Sequence, residues 1–598
     1  MKKKIARSAA SILLAVAMLT GCASETTTTT TPAVSDPAPA ASSAAAETMA
    51  ATGVVTDGQG WYLWDEATLE TNRTGRGGVS ETGMVAAAKT EASQAGVKVL
   101  EAGGNAIDAA VATAFALSVV EPNASGIGGG GHMLIYTADG EAHFLDFRGT
   151  APSAATLQSW NRKAVGGQAS TVPGEVAGLW YAYENYGSGN VSWEELIQPA
   201  IDLAENGFYV TPVLYKDMLD TFDYMIKYED LGNVFLKDGL LYEIGDLFVN
   251  EGQAKALRLI AEQGPDAFYK GEIGEAIIEA LEEDGGFMTM DDLADFQVRE
   301  LDVVTSTYRG YTLISTPFGG ASVLEAMNVM ENFDIAASGY QTAQTQNILA
   351  ETFQITFRDR FDYLGDPDYA DIPLENLLSK SLASTRASQI RLGTTQTYKK
   401  LTSISAYTDD AYESADTTHF SVADADGNMV ACTQTVNGIF GSKIAISEYG
   451  FAMNNVMDAF STSSSSNNVV APGKTPNSSM SPTIVLDTEG EPFLVIGSPG
   501  SRKIITTVAQ VLSNVIDFGM DIQDAIDAPR IFMDTEQKFQ MESRYPEGVS
   551  DAMTAMGYDV SVYDEFDKIF GSVQAIMYKD GKLVGGADPR RDGKALGY

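Results

Sequence analysis

Asp416, Thr417, Thr433, Thr435 and Asn437 fall within one stretch, DTTHFSVADADGNMVACTQTVNG (416–438). Its alternating apolar residues read as two strands, and the turn at 425–428 closes them into a hairpin. A tight register sets Thr435 beside Thr417 or Thr418. The two-residue period puts Thr433, Thr435 and Asn437 on one strand face. A threonine hydroxyl is a weak nucleophile unless a base stands beside it, and one such base is the residue's own α-amine, freed by cleavage of the preceding peptide bond. An N-terminal nucleophile with its supports fits this stretch. An ordinary threonine-rich hairpin fits it too, and on these residues alone is the simpler reading.

Other chemistries have little to stand on. The chain contains only three histidines, His132, His143 and His419. No G-x-S-x-G elbow lies near any of them, and no His/Cys/carboxylate set has zinc spacing. Neither a metal nor a cofactor is therefore expected. GIGGGG (126–131) satisfies the dinucleotide pattern G-x-G-x-x-G, with Asp146 downstream. That fingerprint needs a strand before it and a helix after it. Here a helical pattern precedes and the strand-like MLIYTADGEAHFLDF follows, so the glycines are read as permitting close backbone approach. Cys432, in the middle of MVACTQT, reads as a small buried apolar residue.

The elements that must position the hairpin belong to a chain of 598 residues, 44% hydrophobic and 20% charged, a globular composition. The net charge of −41 excludes a nucleic-acid partner, which would require clustered Lys and Arg. The start, MKKKIARSAASILLAVAMLTGCAS, has a basic head and a short apolar run, the pattern of a secretory signal (1–21) rather than a membrane span. LTGC resembles a bacterial lipoprotein box, which implies cleavage before Cys22 and lipidation of its thiol. Residues 22–51 are small, polar and proline-rich, a tether with too little apolar surface to fold. Helical patterning is read from Gly83 onward, with two helices broken at Gly103–Gly104, the second apolar all round and hence buried. Residues from about 174 to 361 are mainly helical, interrupted by strand-like YTLIST. Beyond 417 strands dominate, with helices near 503–514, 521–527 and 549–556.

TTHFSVADADGNMV resembles the processing site of the γ-glutamyltransferase (glutathione hydrolase) family of N-terminal nucleophile hydrolases. GMVAAAKTEASQAGVKVLEAGGNAIDAAVA, GIGGGGHMLIY, LDFRGTAP, TVPGEVAGL, QPAIDLAENGF, RDRFDYLGDPDY, SSMSPTIV, GSPGSRKIITTV and GADPR are similar to the family too, in the family's order, over nearly the whole body. The resemblance implies an α+β fold, a four-layer αββα sandwich. It implies a precursor that cuts itself between Asp416 and Thr417, giving a large subunit (52–416) and a small catalytic subunit (417–598) in one intertwined body. Thr417 would be the nucleophile and Thr435 would orient its hydroxyl. The amides of Gly500 and Ser501 would form an oxyanion hole worth about 2.7–4 kcal/mol per donor. Arg148, Ser478 and Ser479 would hold the α-carboxylate of a γ-glutamyl group, and Asn437 and Asp458 its α-amine.

The sequence departs from the family pattern at three places. Ser501 stands where a second glycine is usual. In NNVMDAF the second of two acids is replaced by Ala459, and a polar position upstream by Val456. The connection 461–477 has no aromatic residue and is shorter than a lid, so an open site inclined to hydrolysis is expected. Val456 and Ala459 keep a second reading in play, an amidase or acylase of altered acyl specificity similar to cephalosporin acylases. A reading from another class is a non-catalytic solute-binding lipoprotein, against which Thr417, Thr435 and Arg148 speak. The expected partners are a γ-glutamyl substrate and the two subunits of one precursor. The expected location is extracytoplasmic, at a bacterial membrane, through the lipid anchor alone.

Overall fold

Two seven-stranded sheets lie face to face, and every pairing within them is antiparallel. The computed structural model describes residues 61–65, 68–160, 162–401 and 416–598, all within one compact unit, Thr52–Tyr598. The signal segment 1–21, the tether 22–51 and Cys22 lie outside the described residues.

The first sheet runs Lys594–Gly597, Gly83–Ala87, Thr418–Asp424, Met429–Thr435, Gly130–Tyr136, Ala142–Asp146, Arg299–Leu301. The second runs Gly78–Ser80, Lys582–Ala587, Gln574–Lys579, Pro492–Gly497, Thr483–Leu486, Tyr311–Ser315, Val304–Tyr308. Alternation along the strands sorts their side chains into three cores. Leu134, Ala423, Met429 and Ala431 of the first sheet meet Ile314, Ile484, Val495 and Ile576 of the second in an inter-sheet core. Met133, Ile135, Phe420, Val422 and Cys432 point the other way, against helices Thr90–Glu101, Ala106–Val120, Glu175–Tyr186 and Trp193–Asn206. Val485, Leu494, Ile496 and Ala575 pack against helices Gly319–Met330, Ala343–Tyr363 and Lys503–Ile516. The layers are therefore helix, sheet, sheet, helix. Each fully buried aliphatic or aromatic side chain contributes about 1.5–3 kcal/mol.

Helix Ala106–Val120 is buried along its whole length. After the Gly103–Gly104 break, Asn105 and Asp108 close a capping box at its start, which satisfies amides that burial would otherwise orphan. Gly83–Ala87 is a strand, not part of a helix as its alanine-rich sequence suggests. It sits between Lys594–Gly597 and Thr418–Asp424, and pairing on both edges overrides local propensity. Cys432 is fully buried, and burial pushes its thiol well above the usual range. Among the described residues, no helix is long and apolar enough to cross a membrane.

Candidate active site

The hairpin forms from Thr418–Asp424 and Met429–Thr435, with the turn at 425–428. Thr418 pairs with Gln434, which puts Thr417 opposite Thr435 just beyond the end of the ladder. The two hydroxyls lie 3.0 Å apart. Thr435 Oγ1 donates to the carbonyl of Asp416 at 2.8 Å and accepts from the Asn437 amide at 2.7 Å. A hydroxyl has one proton and two lone pairs. With its proton on Asp416, Thr435 must accept from Thr417, so the Thr417 proton points at Thr435.

The junction is pinned at further atoms. The Asp416 amide donates to Asn437 O at 3.2 Å. Arg591, almost fully buried, donates to Thr417 O at 2.7 Å, to Asp416 Oδ1 at 3.0 Å and to Glu121 Oε1 at 2.9 Å. One guanidinium therefore holds residues on both sides of a single peptide bond. Sequence reading stopped one residue short of Arg591, at GADPR. No local pattern marks it, because its partners lie hundreds of residues away in the chain.

Asn437 does not share a strand face with Thr433 and Thr435. The strand ends at Thr435, and Asn437 turns out of the ladder in a left-handed conformation, φ 77°, which asparagine tolerates better than most residues. Its side chain donates to Asn455 O and Oδ1, both at 3.2 Å. Thr433 is engaged elsewhere, at 2.8 Å from His419 Nδ1. Ser421 Oγ, 3.2 Å from His419 Nε2, spends its proton on Gln574 O. His419 therefore carries its proton on Nε2 and accepts from Thr433 at Nδ1. Burial pushes its pKa down to about 3, so the ring stays neutral and is occupied away from Thr417. Gly497 leaves room for it: a Cβ there would lie 2.2 Å from the imidazole.

The glycines of 126–131 do what close approach requires. Gly130 pairs with Thr435, and a Cβ on it would lie 2.2 Å from Phe147 O and 2.8 Å from the carbonyl carbon of Arg148. A Cβ on Gly129 would lie 2.3 Å from Thr435 O. The backbones carrying Thr435 and Arg148 are thus pressed together through residues without side chains. Arg148 Nη1 donates to Pro476 O and Asn477 O, each at 2.8 Å. Arg360, unremarked in the sequence reading of RDRFDYLGDPDY, donates to Ser478 O at 3.0 Å from the helix behind. Ser478 Oγ accepts from the Met480 amide at 3.1 Å. Among the described residues, buried Ser479 Oγ has no hydrogen-bond partner, a hydroxyl still to be satisfied.

Asp458 sits in the short turn Val456–Ala459. Burial raises its carboxyl above the ordinary range, and Arg162, 3.8 Å away, pulls it back. Val456 and Ala459 are fully buried and apolar. The segment 461–477 acts as a brace. Asn468 donates to Ala459 O and accepts from the Asn477 amide, both at 2.7 Å. The backbones of Gly473 and Lys474 bond to Ala151. Arg299 ties Asp146 (2.5 Å) to Asp366 (2.9 Å), whose other oxygen accepts from the Thr475 amide. The loops bearing Arg148, Asp458 and Ser478 are held as one frame.

A cavity of about 800 Å3 reaches the junction, where Asp416, Ile439, Gly500, Ser501 and Arg591 form part of its wall. Arg148, Asp458, Ser478 and Ser479 are not among its lining residues. Gly500 (φ 125°) and Ser501 (φ 56°) both adopt left-handed backbone ahead of helix Lys503–Ile516. A non-glycine residue there costs about 1 kcal/mol, and Ser501 adopts the conformation nonetheless. The amides preceding a helix carry its positive end.

Comparison with known proteins identifies relatives along the body. The family model described as gamma-glutamyltranspeptidase matches residues 92–598. The chain is 38% identical to a glutathione hydrolase proenzyme of Escherichia coli, over 87% of this chain and 92% of that one. It is 35% identical to the Acylase ACY 1 proenzyme of a Pseudomonas species, over 86% and 92%. Its fold is similar to that of a cephalosporin acylase from Bacillus halodurans, with a TM-score of 0.80, 30% identity, and coverage of 88% and 98%.

Proposed function

As the chain belongs to the gamma-glutamyltranspeptidase family, we propose that it is a self-processing γ-glutamyltransferase and glutathione hydrolase whose nucleophile is Thr417. The observation that carries this is the arrest of one peptide bond, Asp416–Thr417, with its neighbouring hydroxyl and carbonyl both on Thr435 and both flanking residues on Arg591.

Thr417 Oγ1 attacks the Asp416 carbonyl carbon. Negative charge develops on Asp416 O, which already accepts from Thr435, a donor placed before the charge forms. The C–N bond breaks, the nitrogen gains the proton lost by the hydroxyl, and an ester joins Asp416 to Thr417. Water hydrolyses this ester, leaving a carboxylate on Asp416 and a free amine on Thr417. The large subunit, 52–416, then ends where the small one, 417–598, begins. In turnover the new amine takes the Thr417 proton as the hydroxyl attacks the γ-glutamyl carbonyl. The amides of Gly500 and Ser501 receive the oxyanion, and the amine passes its proton to the departing amine. Water or an amine acceptor then releases the acyl group from the Thr417 ester. Arg148 and the unsatisfied hydroxyl of Ser479, with Ser478, hold the α-carboxylate, for which a guanidinium is suited. Asn437 and Asp458 face the α-amine. Residues 1–21 direct export, and lipid on Cys22 anchors the body outside the cytoplasm by the tether 22–51.

A second reading, an acylase of altered acyl preference, is favoured by the apolar Val456 and Ala459 and by the cation already beside Asp458. Purified chain incubated to completion and offered γ-glutamyl and glutaryl anilides separates the two. The γ-glutamyl reading expects a cut chain that releases aniline faster from the γ-glutamyl donor and hydrolyses glutathione. Equal or faster glutaryl cleavage defeats it in favour of the acylase, and a chain that stays whole defeats both.

A further inference from the structure

The Arg162–Asp458 pair is built into the site rather than scattered on the surface. Trp160 is buried and packs edge-on against Phe460, with ring centroids 6.3 Å apart. Ala164 O accepts from Asn455 Nδ2 at 2.9 Å. Phe460 and Asn455 flank Asp458 in the chain, so the segment carrying Arg162 is clipped at both ends to the loop carrying Asp458. Arg162 itself is forced into left-handed backbone, φ 45°, a conformation that costs about 1 kcal/mol and that the two clips sustain. Its side chain is 26% exposed and that of Asp458 9%. Through Asn455 the pair connects to Asn437 and Gly438, and through Asn437 to Thr435.

We propose that Arg162 is a specificity-determining residue: its guanidinium, 3.8 Å from Asp458, competes with the ammonium of an incoming γ-glutamyl group and so narrows, without reversing, the preference for that donor over one lacking the amine. The proposal rests on the γ-glutamyl reading of the site. Val456 and Ala459 offer no polar group, so Asp458 is the one carboxylate of this turn, and it already faces a cation. A substrate ammonium must displace the guanidinium or sit beside it against like-charge repulsion. Arg148 and Arg162 against Asp458 leave one net positive charge. A donor that carries a carboxylate and no amine meets no such repulsion, so the guanidinium narrows the advantage of the γ-glutamyl group.

Wild type, Arg162→Gln and Arg162→Lys are compared on γ-glutamyl- and glutaryl-p-nitroanilide, with processing followed on a denaturing gel. Arg162→Gln is expected to raise the γ-glutamyl to glutaryl ratio of kcat/KM by about tenfold. The rise should come mainly through a lower KM for the γ-glutamyl donor, with the small fragment formed as in wild type. Arg162→Lys, which keeps the charge, should hold the wild-type ratio. If Arg162→Gln is not processed, Arg162→Met keeps the apolar stem and carries the same expectation. An unchanged ratio in the uncharged variant overturns the role of Arg162 and leaves the γ-glutamyl reading intact. An equal rise in Arg162→Lys overturns it as well, by assigning the effect to packing. A cut wild-type enzyme inert toward both donors overturns the γ-glutamyl reading and this proposal with it.

Discussion

Thr417→Ala is expected to remain a single uncut chain however long it is incubated, and to lose turnover by about 10⁶-fold. Both losses have one cause. In the mechanism proposed above, the hydroxyl 3.0 Å from Thr435 is the attacking group in processing and bears the acyl group in turnover. His419 cannot take over, since both its nitrogens are committed to Thr433 and Ser421. Thr417→Ser should still be cut at the same bond, because the proton acceptor on Thr435 is unchanged. A denaturing gel with N-terminal sequencing of the small fragment reads both. A fragment beginning at residue 417 in the alanine variant would remove the self-cleavage mechanism.

Arg591→Met is expected to lengthen the half-time of processing by about 100-fold, the usual consequence of loosening a reacting geometry. The guanidinium makes three charge-assisted or main-chain contacts at the junction, and methionine replaces none of them. Its loss leaves the buried carboxylates of Asp416 and Glu121 without their bonded cation. Breaking such a pair costs about 3–5 kcal/mol, so a lower thermal midpoint should accompany slower cutting. Arg591→Lys should fall between, as an ammonium lacks the fork that spans several acceptors. Adding Glu121→Gln to Arg591→Met should return part of the stability and none of the processing rate. Recovery of both would make Arg591 a stability residue only.

The hairpin could be read from the sequence because everything that fixes it is local: a two-residue apolar period, an Asp-Gly turn, and a register set by the turn. The glycines of 126–131 were legible as sites of close approach, though which backbones they admit, those of Thr435 and Arg148, was not. Local reading failed wherever distant pairing decides. Gly83–Ala87 reads equally as helix, and its two neighbouring strands, Thr418–Asp424 and Lys594–Gly597, make it a strand. Asn437 continues the strand period on paper, and the turn toward Asn455 takes it off the face. Arg162 and Arg591 carry no periodic signal, since their meaning comes from contacts made across most of the chain. Ser501 shows the converse: a departure in residue type that leaves the backbone conformation in place.

The order of strands in the first sheet has a consequence for how the molecule comes to exist. Thr418–Asp424 lies between Gly83–Ala87 and Met429–Thr435, and Met429–Thr435 pairs in turn with Gly130–Tyr136. The proposed cut at 416–417 would therefore yield two polypeptides whose strands are interleaved in one hydrogen-bonded ladder. They cannot part without unzipping it, so the cut costs the folded state little. Once unfolded, however, the pieces must find each other by diffusion, where the precursor needed only to close a loop. Recovery of the cut enzyme after denaturation should fall on dilution, while the uncut Thr417→Ala chain should recover independently of concentration. On this reading the mature form would be a product of assembly history, kept by slow unfolding rather than by ready return.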